Sequence, residues 1–257
     1  MMTSGGRYAR HWELFSEAGW EKLCSTRFEL AGVGGLGSTV ATLLARLGPV
    51  HLELWDPGIL DEPDLNRQLL YGPSDLGRPK VEAAEQAIAA MNPDVRVIVH
   101  KQAISAETWQ AVHQLQDDTG IDRVLVDCLD SFAARAELDQ IQGLDSVPLI
   151  HAGVERWYGQ VCTILPGERS LRDMYGDQLS QLPKAAKPIL PSVVTTIASL
   201  QVTEIVHWCE SGHPPHADSL LIYDGTLSTF DEIGLGDRNA RPRREVVVRA
   251  GIVAVEH

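Results

Sequence analysis

A chain of 257 residues, of which 44% are hydrophobic, can bury a sizeable core in one large α/β domain or two small ones. The formal net charge of −13 disfavours binding to nucleic-acid backbones, but it leaves room for a local basic pocket that holds one nucleotide. No uncharged apolar run reaches the roughly 18 residues of a membrane span. The N-terminus lacks a signal-peptide core, so a cytoplasmic location is expected.

Strand and helix patterns alternate along the first part of the chain, which favours a parallel sheet with helices on both faces. The segment 57–77 is rich in proline and glycine and is predicted to be turns. The predicted elements are a helix at 12–24, a strand at 27–33, a helix at about 37–47, a strand at 51–56, a helix at about 79–91, a strand at 95–100, a helix at 105–116, a strand at 123–127, a helix at 131–142 and a strand at 147–151.

The remaining residues follow a different pattern. A strand is predicted at 159–165, a polar loop at 167–190, and a helix of about 18 residues that begins at Pro191. Antiparallel strands at the end of the sheet are predicted at 219–224, 228–233 and 244–256. The expected fold class is α/β, a Rossmann-like doubly wound and mainly parallel sheet with antiparallel strands at its C-terminal end, in a single domain.

A glycine-rich turn joins the first predicted strand to the following helix. Gly32, Gly34 and Gly37 match G-x-G-x-x-G, and Gly35 lies within the same turn. Glycines let the backbone approach a phosphate, and the helix N-terminus supplies N–H donors. Asp56 ends the next strand, where its carboxylate could accept hydrogen bonds from both ribose hydroxyls. The motif predicts a nucleotide site without separating NAD from ATP.

Two cations and a carboxylate follow neighbouring strands of the predicted sheet. Arg67 and Lys80 come after the Asp56 strand, and Asp130 follows the strand 123–127. Because the carboxyl ends of neighbouring strands face one crevice, these groups are expected near the phosphates. They suit a triphosphate with Mg²⁺, whereas hydride transfer needs an apolar nicotinamide slot, which disfavours an NAD-dependent oxidoreductase. The alternatives are a solvated pair for the two cations and a helix N-cap for the carboxylate.

Several segments together resemble one known family. They are RYARH, GVGGLGS, LNRQLL, DLGRPKVEAA, NPDV, DCLDSF, GQV and ASLQVTEIV, spread over residues from about 8 to 230. Their joint occurrence is similar to the ThiF/MoeB-type adenylyltransferases, which are ATP-dependent activators of small ubiquitin-fold proteins and are related to ubiquitin-activating enzymes.

The resemblance implies that the C-terminal carboxylate of a Gly-Gly-ended carrier protein attacks the α-phosphate of ATP, giving an acyl-adenylate and pyrophosphate. It implies ATP and Mg²⁺ as cofactors, with Asp130 binding the metal. It also implies that Asp56 binds ribose and that Arg67, Gln68 and Lys80 contact the phosphates.

The resemblance further implies a homodimer, because Arg10 in YARH matches an arginine that reaches into the partner subunit's ATP site. The chain would then divide into an N-terminal helical arm at 1–25, a nucleotide-binding part at 26–150 and a carrier-binding part at 151–257, with 167–190 as the crossover loop and a candidate lid containing Lys184 and Lys187.

The chain departs from the family pattern in the segment SNLxRQ, where it has PDLNRQ. Asp64 stands in place of the asparagine that contacts the nucleotide. A carboxylate there would repel phosphate unless it binds a metal or turns away, and Asn66 is the residue expected to compensate.

The chain also lacks the family's two CxxC pairs, so no zinc site is expected. The cluster formed by His207, Cys209, His213 and His216 is interpreted as surface histidines at a helix end. With no cysteine between 162 and 209, and with Cys128 and Cys162 interpreted as core residues, the chemistry would stop at the adenylate and a separate sulfur donor or partner enzyme would act next.

Three alternatives remain besides the oxidoreductase. The acceptor could be a ribosomal peptide or another carboxylate, or the chain could be a degenerate module that binds a ubiquitin-like protein without catalysis.

Trp157 and Tyr158 either line a groove for an extended peptide or pack against the core. The basic segment 241–244 is interpreted as a solvated lead-in to the last strand.

Overall fold

The computed structural model describes residues 6–115, 121–176, 179–181, 188–236, 246–249 and 252–255. Its helices are α1 (Glu17–Ser25), α2 (Gly35–Leu47), α3 (Lys80–Met91), α4 (Ala106–Leu115), α5 (Phe132–Asp145), α6 (Leu171–Tyr175) and α7 (Pro191–Ser211). Its strands are β1 (Arg27–Ala31), β2 (His51–Trp55), β3 (Arg96–His100), β4 (Arg123–Asp127), β5 (Leu149–Glu155), β6 (Tyr158–Ile164), β7 (Ser219–Asp224), β8 (Thr229–Gly234), β9 (Val246–Arg249) and β10 (Ile252–Val255).

Eight strands form one sheet in the order β3-β2-β1-β4-β5-β6-β7-β8. Strands β3, β2, β1, β4 and β5 run parallel, whereas β6, β7 and β8 are antiparallel to their neighbours. The order reverses at β1, since β2 and β4 flank it on opposite sides, and ligands of doubly wound sheets bind at such a switch point. The predicted fold class is confirmed.

Helices cover both faces of the sheet, which explains the apolar runs in its parallel strands. Phe28 and Leu30 of β1 belong to the core beneath α2 and α7, whereas Leu125 and Leu149 belong to the core beneath α5. Helix α7 packs against α2 and across β5 and β6. The central strands are therefore held rigidly, and their carboxyl ends can position side chains for a site.

The structure corrects several predicted elements. The helix predicted at 12–24 is a short 3-10 turn, Trp12–Leu14, followed by α1, whose N-cap is Ser16. The loop predicted at 167–190 contains α6 and a 3-10 turn, and α7 is 21 residues long. Strands β9 and β10 pair with each other in a separate two-stranded sheet rather than extending the main one.

Among the described residues, no helix is long and apolar enough to cross a membrane. Lys184, Lys187 and the basic segment 241–244 lie outside the described residues. Trp157 and Tyr158 are exposed, so the alternative that they pack against the core is wrong.

Candidate active site

The glycine turn lies at the carboxyl end of β1 and leads into α2. Gly32 has a φ of +93°, a conformation that L side chains rarely adopt. A Cβ on Gly37 would overlap the carbonyl oxygen of Gly32, so the helix can approach the turn only without a side chain there. Helix α2 begins at Gly35 with Gly34 as its N-cap, which presents backbone N–H groups to the crevice.

Tyr71 holds this turn from the side and was not singled out from the sequence. Its buried hydroxyl donates a hydrogen bond of 2.8 Å to the carbonyl oxygen of Val33. Burial, reinforced by Asp56, raises the pKa of Tyr71, so the phenol stays protonated and remains a donor at neutral pH. A tyrosine within the turn-rich segment 57–77 carries no sequence signal for this role.

Asp56 is fixed at the end of β2 by two backbone hydrogen bonds. Its Oδ2 accepts from the Val33 N–H at 2.9 Å, and its Oδ1 accepts from the Gly58 N–H at 2.7 Å. Each carboxylate oxygen keeps a second lone pair that a hydroxyl can use. The structure thus places Asp56 directly against the glycine turn, where the sequence predicted it.

Arg67 contacts the glycine turn itself, whereas Lys80 lies beside Gly58, the residue whose N–H binds Asp56. A Cβ added at Gly35 would lie 3.4 Å from Cγ of Arg67, and one added at Gly58 would lie 3.3 Å from Cε of Lys80. The side chains are only 28% and 14% exposed. The alternative of a solvated surface pair is therefore wrong.

Two amide residues flank the cations. Gln68 is buried and lies close to Gly34, since a Cβ there would be 3.8 Å from its Nε2. Asn66 is exposed, and its Oδ1 accepts a 3.0 Å hydrogen bond from Nη1 of Arg67. The carboxylate of Asp64 points toward the two cations, and its Oδ2 lies 3.1 Å from Nζ of Lys80.

Asp130 follows β4, the strand next to β1, and is exposed. The N–H of Cys128 donates to the carbonyl of Ala31 at 3.1 Å, which joins the two strand ends just before the glycine turn. The N-cap of α5 is Ser131, whose hydroxyl accepts from the backbone of Ala134. The alternative role of Asp130 as the cap is therefore wrong, and the residue follows the end of β4 that adjoins the glycine turn.

A buried relay supports the segment that carries Asp130. Asp127 accepts hydrogen bonds from Nε of Arg135 at 2.8 Å and from Nδ1 of His151 at 2.7 Å, and Arg135 also donates to the carbonyl of Leu129. Burial alone would raise the pKa of Asp127, but Arg135 and His151 hold it below its usual value. The ionised carboxylate therefore fixes the backbone between β4 and α5.

The same relay anchors α6 to the sheet through Tyr175. Burial lowers the pKa of His151, so the ring is neutral, with Nδ1–H directed at Asp127 and Nε2 accepting from the Tyr175 hydroxyl at 2.6 Å. Gln160 of β6 donates to that hydroxyl. Sequence reasoning missed this chain of hydrogen bonds, because its members come from four separate elements.

Replacing Tyr175 by phenylalanine is expected to lower the free energy of unfolding by about 1–3 kcal/mol, because the buried Nε2 of His151 then loses its 2.6 Å hydrogen bond and keeps only the 3.4 Å contact with Nε2 of Gln160. Chemical denaturation followed by circular dichroism measures the change. Tyr223→Phe is the matched control, since the described residues offer its hydroxyl no hydrogen bond. Equal stability of both variants and the parent would contradict the anchoring role.

Arg10 lies far from the glycine turn of its own chain. Nε2 of His11 is 2.7 Å from the carbonyl of Leu47, the last residue of α2, and the Tyr8 hydroxyl accepts from Asn92 after α3. Helix α2 has 13 residues, which separates its two ends by roughly 18 Å. The structure therefore does not bring Arg10 to the glycine turn of its own chain, and a role in a partner's site remains a prediction.

The cysteines are not poised as nucleophiles. Cys128 and Cys162 are buried in the two cores, which confirms their interpretation as core residues. Burial raises the pKa of Cys128 and Cys162, and it raises the pKa of Cys24 to about 11 and that of Cys209 to about 12. These thiols are protonated at neutral pH and therefore poorly nucleophilic.

Two of the three histidines near the end of α7 lie beside carboxylates. Nδ1 of His216 is 2.8 Å from Oε1 of Glu204, and Nε2 of His213 is 3.6 Å from Oδ2 of Asp218. His207 is exposed. The absence of a zinc site remains a prediction.

One group of possible metal ligands occurs among the described residues, and it was not foreseen. Ligand atoms of Glu29, Glu53 and His113 lie within 4.8 Å of one another. However, Nε of Arg123 is 3.3 Å from Glu29, and Nη1 of Arg27 is 3.5 Å from Glu53. The negative charge of the two glutamates is already balanced by these arginines. The group is therefore a buried ion-pair network between the sheet and α4.

Comparison with known proteins decides the family of this fold and site. The family described as the ThiF family matches residues 7–243. The chain belongs to the ThiF family. The family resemblance found in the motifs is confirmed, and with it the assignment of the chain as a nucleotidyltransferase of the ThiF/MoeB type.

Relatives of this ThiF-family chain match over nearly their whole length. The SAMP-activating enzyme E1 of Haloferax volcanii is 29% identical over 238 residues, which cover 90% of this chain and 85% of that protein. The sulfur carrier protein ThiS adenylyltransferase of Escherichia coli is 28% identical over 222 residues, covering 84% and 85%. The molybdopterin-synthase adenylyltransferase of Escherichia coli is 27% identical over 226 residues, covering 86% and 88%.

Solved structures share the fold. PaaA superposes with a TM-score of 0.71 at 23% identity, over 89% of this chain and 72% of that one. E. coli MccB, solved with ATP, superposes with a TM-score of 0.75 at 18% identity, over 91% of this chain and 72% of that one. At these identities the likeness concerns the fold of the ThiF-family domain.

Proposed function

We propose that this protein transfers AMP from ATP to the C-terminal carboxylate of a small ubiquitin-fold carrier protein that ends in Gly-Gly. A carboxylate oxygen forms a bond to the α-phosphorus, the bond from that phosphorus to the bridging oxygen breaks, and pyrophosphate leaves with the electron pair. The observation that carries the proposal is the grouping of Asp56 and Arg67 at the glycine turn, with Lys80 beside Gly58, whose N–H binds Asp56. The names of the relatives, which include adenylyltransferases of a sulfur carrier protein, support the acceptor class.

The nucleotide would lie along the carboxyl edge of β2, β1 and β4. Asp56 would accept the ribose hydroxyls, and Arg67, Lys80 and the amides of Asn66 and Gln68 would contact the phosphates. The backbone of the turn would approach those phosphates at Gly32, Gly34, Gly35 and Gly37, where side chains are absent.

Asp130 fits a magnesium ion by its chemistry, since it offers exposed carboxylate oxygens at the edge beside the glycine turn. Bound there, the ion would offset the charge on the phosphates. Asp127 and Arg135 would act through Asp130 by fixing its backbone. In this scheme Arg10 of the partner subunit would complete each site of a homodimer.

The carrier would bind to the C-terminal part, 151–257, after the nucleotide-binding part at 26–150. Exposed aromatic side chains at one end of β6 and β8 support this division: Trp157 is 48% exposed, Tyr158 39% and Phe230 49%. Because the described cysteines are protonated, the adenylate would be released to a separate sulfur donor or partner enzyme rather than passed to a thiol of this chain.

Pyrophosphate exchange tests the proposal. The protein is incubated with Mg-ATP, labelled pyrophosphate and a panel of small ubiquitin-fold proteins, and label is expected in ATP only with a carrier that ends in Gly-Gly. The same carrier without its last glycine is the matched control. Exchange with an unrelated peptide alone would favour the alternative acceptor, and binding of NADH without any binding of Mg-ATP would overturn the proposal.

A further inference from the structure

Asp64 places a negative charge beside the residues that are proposed to bind the phosphates. It ends a short 3-10 turn, Glu62–Asp64, between β2 and α3. Its carboxylate lies 3.1 Å from Nζ of Lys80 and 3.6 Å from Nη2 of Arg67. These are the two cations assigned to the phosphates, so an internal anion already pairs with both of them.

Both oxygens of this carboxylate are engaged. Oδ1 accepts a 2.6 Å hydrogen bond from Nε2 of Gln68, and Oδ2 accepts from the backbone N–H of Asp61 at 3.2 Å. The amide orientation of Gln68 follows from this contact, and its buried Oε1 has no hydrogen-bond partner among the described residues. A carboxylate of the chain itself thus contacts three of the side chains assigned to the phosphates.

We propose that Asp64 is an internal counter-anion that holds Lys80 and Arg67 in the nucleotide-free site and competes with phosphates for them. Mg-ATP binds by displacing the carboxylate from the cations, and the carboxylate pairs with them again when pyrophosphate leaves. Asp64 is therefore a positioning residue that weakens the binding of polyphosphates and eases their release. The inference rests on the proposed roles of Arg67 and Lys80.

Asp64→Asn is the sharpest variant, because it removes one charge and keeps the shape. The asparagine Oδ1 can still accept from Asp61, and its amide can donate to the partnerless Oε1 of Gln68 after a flip of that side chain. Asp64→Ser removes the same charge with a smaller side chain that keeps an acceptor. Asp61→Asn is the matched control, since Asp61 lies in the same turn but its Oδ1 caps Glu62.

Calorimetry on the full chain measures the Kd of Mg-ATP, Mg-pyrophosphate and adenosine for each variant. We expect Asp64→Asn and Asp64→Ser to bind both polyphosphates about three- to tenfold more tightly than the parent, with unchanged adenosine binding. Adenosine lacks phosphates, so it reports on a general change of the pocket.

The outcomes separate the two claims. A parent protein that does not bind Mg-ATP overturns the proposed function itself. A parent that binds Mg-ATP, together with equal or weaker polyphosphate binding in both Asp64 variants, overturns the counter-anion alone. Equal tightening by Asp61→Asn would also overturn it, because the effect would then be one of overall charge.

Discussion

Arg67→Ala is expected to reduce carrier-dependent pyrophosphate exchange roughly 10²- to 10³-fold, and Asp130→Ala is expected to do the same. The arginine lies on the glycine turn at Gly35, where its charge offsets that of the phosphates. The aspartate is the exposed carboxylate that would hold Mg²⁺ beside it. Both side chains lie outside the buried cores, so size-exclusion chromatography should show the same oligomeric state as the parent.

Two control variants test whether these losses are specific. Arg78→Ala removes another arginine of the segment between β2 and α3. Arg78 pairs with Asp75 at 2.7 Å and is not assigned to the phosphates. Asp94→Ala removes an exposed carboxylate between α3 and the start of β3, at the amino ends of the strands and thus away from the site. Both should stay within about twofold of the parent. Exchange at the parent level in Arg67→Ala or Asp130→Ala would remove that residue from the site.

A 1:1 mixture of Arg10→Ala and Asp130→Ala subunits that pair at random is expected to recover about a quarter of the parent exchange through its mixed dimers, although each variant alone is inactive. In such a dimer one site receives Asp130 from one subunit and Arg10 from the other. The physical reason is distance, because the arm that carries Arg10 contacts Leu47 at the far end of α2 from the glycine turn. Exchange is measured after the subunits are mixed, unfolded together and refolded.

A double variant distinguishes the two arrangements. When a chain carrying both Arg10→Ala and Asp130→Ala is mixed with the parent, the mixed dimer has no complete site if the arginine acts across the interface. If it acts within one chain, the parent subunit of that mixed dimer keeps its activity. Failure of the single variants to complement each other, with about half of the parent exchange in this second 1:1 mixture instead of the roughly one quarter left by parent homodimers, would exclude the role in the partner's site.

Most of the sheet was predictable because its strands are short segments rich in apolar residues that alternate with helical patterns along the chain. Strand β4, Arg123–Asp127, begins and ends where the sequence predicted. Helix α6 was missed because its five residues are too short for a helical period, although Ser170 and Asp173 form a capping box at its start. The valine-rich segment 244–256 predicted strand structure but could not say which strands it pairs with.

The sequence alone determined the glycine turn, the carboxylate of Asp56 and the two cations, because these depend on residue types at short spacings around strand ends. Only the tertiary structure decided that Tyr71 holds the glycine turn, that Asp64 pairs with Lys80, and that Arg10 lies away from the glycine turn of its own chain. Those contacts join side chains from separate segments, and the direction of a side chain is set by the packing around it rather than by its neighbours along the chain.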